Sequence, residues 1–244
     1  MPAPLLSPLR PVVWIVGASR GIGAELGLQF AGIGGFVILS GRNVKQLKSV
    51  RMQIESRGGD AAVVPCDCRS VRSVGKAATA IRRAYGRVDV LINNAGITVF
   101  KNFTSTSVAE FDAIVATNLR GPVLCMQAVV PGMIRRKKGC IINILSNAAV
   151  RVFEGSAAYT ASKAGLLGFT RVLREELRTR SVRVLAVLPG ATETGMWSGN
   201  DRRRFGSRMM RAKSVAESVL AAYQMPPDVV PDEIILRPME GDID

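Results

Sequence analysis

Histidine is absent from the 244-residue chain. Without an imidazole there is no Ser-His-Asp or Cys-His nucleophile, no histidine general base and no histidine-ligated metal. Cysteine is nearly as scarce. Cys66, Cys68, Cys125 and Cys140 include one C-x-C pair and no C-x-x-C pair, so no metal site is expected, and a reduced cytoplasmic thiol set used for packing fits the count. Aromatic residues make up only 5%, too few for a base-stacking platform, and no nucleic-acid recognition motif accompanies them. Long apolar runs are missing too, because Gly, Arg or Asn interrupts each one before the ~20 residues of a membrane span, so no membrane partner is expected. Met1 to Pro11 holds four prolines and no basic region ahead of an apolar one. It reads as a short extended lead-in and not as a signal peptide.

Acidic residues are the last shortage. Asp plus Glu number 19 against 33 Lys plus Arg, a net charge of +14. Such a surface attracts anions, from nucleotides to acidic proteins. The basic residues are dispersed, with small clusters at Arg82-Arg83, Arg135 to Lys138 and Arg202 to Arg204. The first two fall at the ends of predicted helices, where they complement the helix dipole. Most of the charge reads as solvated surface and as counter-charge for a phosphorylated ligand.

What the chain has in plenty is alternation. Short β-branched runs predict strands at Val12–Val16, Phe36–Ser40, Ala61–Cys66, Val88–Asn93, Cys140–Leu145, Val182–Leu188 and Glu233–Leu236. Between them, amphipathic stretches predict helices at Gly23–Ala31, Val44–Ser56, Val71–Ala84, Val108–Arg136 and Ala157–Thr179. Near-continuous apolar strands are covered on both faces, and strand-helix-strand repetition builds a parallel sheet with right-handed crossovers. The expected fold is therefore α/β, one domain over residues 1–244, a doubly wound parallel sheet of about seven strands with helices on both faces. In that architecture ligands bind outside the carboxyl ends of the strands, where strand order reverses. The least patterned stretch is Ala191 to Lys213, read as a substrate lid with Met196, Trp197, Phe205, Met209 and Met210 as apolar contacts. Its Arg202, Arg203, Arg204, Arg208 and Arg211 are candidate anion contacts.

Chemistry-bearing residues do fall just after the strands. Gly17-Ala18-Ser19-Arg20-Gly21-Ile22-Gly23 follows the first and opens a helix. Glycines there let backbone approach a pyrophosphate, and the free N–H groups of the helix end hold its charge. The second strand ends Leu39-Ser40-Gly41-Arg42 with no acid. An acid at that turn would hold a ribose 2′-hydroxyl, whereas a 2′-phosphate needs a cation. Arg20 and Arg42 therefore form a candidate clamp for the phosphate of NADP(H). Tyr159 and Lys163 lie four apart on a helix, so phenol and ammonium share a face, and the ammonium is expected to lower the Tyr pKa. Ser146, thirteen residues before Tyr159, follows the fifth strand. Its hydroxyl is placed to hydrogen-bond a substrate carbonyl oxygen.

In this ordered set the chain resembles the short-chain dehydrogenase/reductase family, in its single-domain branch of about this length. The resemblance runs from about Val12 to Thr194 and includes Gly17 to Gly23, Asp67, Asn93-Asn94-Ala95-Gly96, Asn118, Ser146, Tyr159, Lys163 and Pro189-Gly190. It implies a Rossmann-type fold and hydride transfer between NADP(H) and a carbonyl or alcohol, in a homodimer or homotetramer. Asp67 would meet the adenine amino group, Asn94, Ala95 and Gly96 would line the adenosine side, and Lys163 would hold the nicotinamide ribose. Asn118 and Lys163 would relay protons through a water. Pro189, Gly190, Thr192 and Thr194 would meet the nicotinamide end. Two departures stand out. Val16 takes the place of a common Thr, removing a hydroxyl that braces the glycine turn. The stretch from Pro226-Pro227-Asp228 to Leu236-Arg237-Pro238 departs from the Gly-rich ending of acyl-carrier reductases and looks more like reductases of hydroxy acids, pterins or other small carbonyls. A small carbonyl or alcohol substrate is accordingly favoured over one borne by an acidic carrier protein. A cofactor-binding regulatory protein without turnover is the other reading, disfavoured by the intact Ser, Tyr, Lys and Asn set.

Overall fold

The computed structural model describes residues 10–226 and 228–243. Most of the expected lead-in, Met1 to Leu9, lies outside the described residues, as does Pro227. At the near end of the lead-in Arg10 is fixed, donating from Nε to Gly34 O at 2.7 Å and from Nη2 to the Asp60 carboxylate at 2.6 Å.

Along the chain come β1 (Val12–Val16), α1 (Gly21–Gly32), β2 (Phe36–Ser40), α2 (Val44–Glu55), β3 (Asp60–Val63), α3 (Val71–Tyr85) and β4 (Val90–Asn93). Then follow α4 (Val108–Val115), α5 (Gly121–Arg136), β5 (Gly139–Ile144), α6 (Ala157–Arg178) and β6 (Val182–Pro189). The last part holds β7 (Thr192–Glu193), α7 (Gly199–Phe205), β8 (Met210–Arg211), α8 (Ala212–Tyr223) and β9 (Glu233–Leu236). Seven strands form one parallel sheet in the order β3-β2-β1-β4-β5-β6-β9.

Strand periodicity sorts the core into two layers. Val12, Trp14 and Val16 point to the face covered by α3, α5 and α6, where Ile81, Met133 and Leu166 meet them. Val13 and Ile15 point to the other face, against Leu26 and Phe30 of α1, Ile54 of α2 and Val219 of α8. Alternate residues of one strand thus serve opposite layers, the geometry that β-branched runs buried on both sides require. Trp14 is wholly buried, and its indole N–H donates to Ser40 Oγ at 2.8 Å, which in turn donates to Val64 O at 2.6 Å. A polar pair of this kind ties β1 and β2 to the chain after β3. The four cysteines are buried free thiols, and no metal-binding group of side chains occurs among the described residues.

Several boundaries differ from the sequence expectation for physical reasons. The third strand stops at Val63 short of Cys66: Val64 O accepts from the Ser40 hydroxyl, and beyond Val63 only Val64 N on Leu39 O and Cys66 N on Gly41 O continue the pairing. The expected helix Val108–Arg136 divides into α4 and α5 around a π-helical turn, Ala116–Arg120. Joined end to end, these pieces make a run long and apolar enough to cross a bilayer by length and composition, which corrects the expectation that no such run exists. In the fold, however, Cys125, Met126, Val129 and Met133 of α5 pack into the core against the sheet. The Ala191–Lys213 stretch builds its own small unit, with β7 pairing in parallel with β8 and α7 between them.

Candidate active site

Strand order reverses between β1 and β4, and a cavity of about 340 Å³ opens at their carboxyl ends. The glycine turn forms one wall. Gly17, at φ +91°, donates to Ser40 O at 2.8 Å, and its carbonyl accepts from Asn94 Nδ2 at 2.7 Å. A Cβ at Gly17 would lie 2.5 Å from Ala95 N, and one at Gly23 would lie 2.2 Å from Gly17 O. Glycine is thus required by contacts within the chain as well as for access to a ligand. Asn94 and Ser40 supply the bracing that Val16 cannot. At the start of α1, Arg20 makes no side-chain cap and no acid stands in the first turn, so the leading N–H groups are left without a side-chain acceptor.

Ser19, Arg20, Gly21, Ile22, Arg42 and Asp67 line this cavity together with Asn94, Ala95 and Gly96. Neither Arg20 nor Arg42 has a hydrogen-bond or ion-pair partner among the described residues. Asp67 does have one. Its carboxylate is gripped by Arg69, Nε on Oδ1 at 3.0 Å and Nη2 on Oδ2 at 2.7 Å, and that hydrogen bonding holds the acid below the usual carboxylate range. The acceptor that the resemblance assigns to the adenine amino group is therefore already engaged. Sequence reasoning passed over Arg69, whose side chain lies in the same cavity.

A second cavity, of about 510 Å³, shares Ile22, Asn94, Gly96, Thr194 and Met196 with the first. The two are one continuous cleft. Ser146, Tyr159, Lys163, Pro189, Gly190, Thr192 and Thr194 line this second part. Ser146 follows β5 and caps a single helical turn, its Oγ accepting from Ala148 N at 3.2 Å. Tyr159 and Lys163 come from one face of α6, both buried, with Nζ 5.7 Å from the phenol ring centroid and donating to Ile144 O at 3.0 Å. Burial pushes the Tyr159 phenol up, although the neighbouring Ser146 hydroxyl acts in the opposite direction. Burial also brings the Lys163 ammonium down to about 8. The expectation that the ammonium would lower the Tyr pKa is corrected: desolvation by burial dominates, and the group that pulls the phenol down is the Ser146 hydroxyl.

Asn118 lies in the π turn, fully buried and lining neither cavity. Its Oδ1 accepts from Ile97 N at 2.9 Å, and its Nδ2 donates to Ile97 O at 2.8 Å and Ser162 Oγ at 3.1 Å. The amide thus clamps the loop after β4 to α6. A point at the Cβ position of Gly96 lies 3.5 Å from Asn118 Oδ1 and 3.6 Å from Lys163 Nζ, so both atoms face one small space.

Of the expected apolar lid contacts, Met196 and Trp197 line the second cavity, whereas Phe205, Met209 and Met210 line neither. Phe205 instead lies under the Arg204 guanidinium, and Met209 is buried. None of Arg202, Arg203, Arg204, Arg208 and Arg211 lines either cavity, and Arg208 pairs with Glu240 at 3.3 Å. The anion-contact reading of these arginines is corrected for the pocket. In the second cavity the residues that sequence reasoning missed include Phe100, Asn147, Phe153, Glu154 and Asp242. Phe100 stacks on Trp197 at 6.0 Å between ring centroids and sits 6.4 Å from Tyr159. Phe153 follows β5, a position at which strand-end placement alone could have flagged it.

Comparison with known proteins bears on this geometry directly. Residues 11–204 match the family model described as short chain dehydrogenase. A sepiapterin reductase of Chlorobaculum tepidum is 33% identical over 96% of this chain and 99% of its own length. An uncharacterized oxidoreductase of Staphylococcus aureus is 30% identical over 93% of this chain and 97% of its own. Among solved structures, a metagenomic short-chain oxidoreductase in complex with NADP superposes with a TM-score of 0.84, at 35% identity, covering 96% of this chain and 99% of that one. A single-residue variant of actinorhodin polyketide ketoreductase with NADPH gives 0.86 at 28% identity, covering 93% and 95%. The chain belongs to the short-chain dehydrogenase/reductase family of oxidoreductases.

Proposed function

We propose that the protein is an NADP(H)-dependent oxidoreductase that interconverts a small, uncharged carbonyl and its alcohol. The observation that carries this reading is the placement of Ser146, Tyr159 and Lys163 in the second part of a cleft whose first part holds the glycine turn and two unpaired arginines. The cofactor fits the residues present. The uncapped start of α1 and the turn around Gly17 and Gly21 would hold a pyrophosphate, and Arg20 with Arg42 the 2′-phosphate. Asn94 to Gly96 would lie along the adenosine, with the Asp67–Arg69 pair at the adenine edge. Pro189, Gly190, Thr192 and Thr194 would meet the nicotinamide end, and Lys163 the ribose. Bound there, NADP(H) supplies or accepts a hydride at the nicotinamide.

The chain's own residues supply positioning and a proton. Ser146 donates a hydrogen bond to the carbonyl oxygen, and Tyr159 gives that oxygen its proton in reduction. The phenolate left behind needs a cation. Lys163, at about 8, is mostly charged at neutral pH and holds a proton close to the value at which it gives it up. Asn118 Oδ1 faces the same space as Nζ, where a water would complete the relay.

Charge and shape narrow the substrate. Among the described residues Lys163 is the cation that lines the second cavity, and Glu154 and Asp242 are the acids. Among the described residues no arginine lines this part of the cleft to meet a substrate carboxylate, so an acid is disfavoured. Phe100, Phe153, Trp197 and Tyr159 offer ring faces suited to a flat or cyclic carbonyl. The relationship to a sepiapterin reductase and to a ketoreductase agrees with such a substrate. Ala191 to Lys213 would act as its lid, and the assembly, as in the family generally, would be a homo-oligomer. The test is NADPH oxidation with neutral cyclic and heterocyclic ketones, a pterin ketone among them, against a set of 2-oxo acids. Turnover of the neutral set with NADPH preferred to NADH is expected; turnover confined to 2-oxo acids, or a preference for NADH, would overturn the reading.

A further inference from the structure

The far end of the chain reaches the loop that carries Ser146. β9 runs parallel to β6, so it ends on the same side of the sheet, where Gly190 N donates to Leu236 O at 2.7 Å. A turn follows, closed by Gly241 N on Pro238 O at 3.0 Å with Gly241 at φ +91°. Only glycine adopts that conformation without strain. The turn brings Asp242 back over the second cavity, its side chain 8% exposed.

Two of the groups that Asp242 bonds lie on the loop after β5 and one on its own turn. Oδ2 pairs with Arg151 Nη1 at 2.9 Å and Arg237 Nη2 at 3.0 Å, and Oδ1 accepts from Asn147 Nδ2 at 2.8 Å. Asn147 is buried beside Ser146, and its Oδ1 accepts from Ser146 Oγ at 3.4 Å. An amide has a donating end and an accepting end, while an ionised carboxylate only accepts. Asp242 sits between two guanidiniums, and a carboxylate at that spot obliges Asn147 to turn its nitrogen outward. The oxygen is then what faces Ser146. Were the amide reversed, its N–H would donate to the serine oxygen and, with Ala148 N, take both lone pairs which that oxygen could offer the Tyr159 hydroxyl. As it stands, Ser146 meets only a weak, long acceptor on that side, and its hydroxyl proton is free to turn to a carbonyl oxygen.

We propose that Asp242 is a positioning residue for the reaction. It seats the turn after β9 on the loop after β5 and sets the orientation of Asn147 and, through it, of the Ser146 hydroxyl. This inference rests on the proposed carbonyl chemistry, and its test separates the two. Asp242→Asn is nearly isosteric, yet its amide has an N–H to place. With its oxygen drawn to the two arginines, that N–H faces Asn147 and reverses it.

The variant is compared with wild type for kcat, KM and NADPH affinity, alone and in an Asn147→Ala background. Cofactor fluorescence gives the affinity, and the side-chain amide signal of Asn147 is followed by NMR. The expectation is a kcat about tenfold lower in Asp242→Asn, with NADPH affinity and melting temperature close to wild type. No further loss is expected once Asn147 is Ala, together with a displaced Asn147 amide signal in the single variant. An unchanged kcat, an equal loss in both backgrounds or an unmoved Asn147 signal would overturn it. A wild type that turns over no carbonyl would defeat the functional reading instead, and the NMR signal would still decide whether Asp242 orients Asn147.

Discussion

Burial acts on Tyr159 and Lys163 in opposite directions, raising the phenol and lowering the ammonium to about 8. The second effect makes the lysine a stability cost. Below about 8 it is charged in both folded and unfolded chains, and the folded state carries the desolvation penalty. Between about 8 and 10.5 the unfolded chain binds more protons than the folded one, so this penalty fades as pH rises. Lys163→Met should therefore be more stable than wild type at pH 7, and thermal melts from pH 7 to 10 should show the gap narrowing above pH 8. A gap independent of pH would mean that Nζ is not desolvated. Cofactor choice belongs to the same scale. Arg20→Ala/Arg42→Ala should weaken NADPH binding by at least a hundredfold, from two lost charge-assisted bonds of about 1.5–3 kcal/mol each, and NADH binding by about threefold or less. Titrating both cofactors checks this, and equal losses would remove the arginines from the 2′-phosphate.

The elements that place these residues were legible in the sequence to different depths. β1, β2 and β9 match their expected limits residue for residue, because β-branched runs in a parallel sheet have few competing readings. The glycine turn and the Tyr159–Lys163 spacing were legible because each is a local pattern tied to one element. The π turn was not, since a bond to the fifth residue back leaves no mark on hydrophobic periodicity. Its consequence, Asn118 bonded to Ile97, is tertiary. So is the seat of Asp242, and so is the pocket role of Phe100, which depends on Trp197 arriving from a distant segment. Arg69 was hidden for another reason: a basic residue two places from an acid in a loop has many partners open to it, and only the fold selects Asp67. At the element scale the sharpest prediction is Gly23→Ala. The new methyl would collide with Gly17 O at 2.2 Å and with Asn94 Nδ2 at 2.5 Å, breaking the bond that braces the turn. The variant should melt at a lower temperature and bind NADPH at least tenfold more weakly, from a lost hydrogen bond of about 1–2 kcal/mol and the displaced turn. Wild-type affinity by fluorescence titration would contradict the bracing.

For the whole molecule, a net charge of +14 concentrates anions near the surface, while the cleft sorts them. Among the described residues its first part presents unpaired guanidiniums and helix N–H groups, and its second presents ring faces, the acids Glu154 and Asp242 and the buried Lys163. The exposed arginines of α7 stand outside both parts and belong to the general field. In the proposed function one cleft would thus join an anionic cofactor to an uncharged substrate, with Tyr159 in the part assigned to the substrate. The measurement that bears most directly on this account is single-turnover NADPH oxidation by Tyr159→Phe with a ketone the wild type reduces, alongside NADPH titration of the same variant. Loss of the phenolic proton should slow reduction by about 10²–10⁴-fold, with NADPH affinity within about twofold of wild type. Reduction at the wild-type rate would contradict the account at its centre.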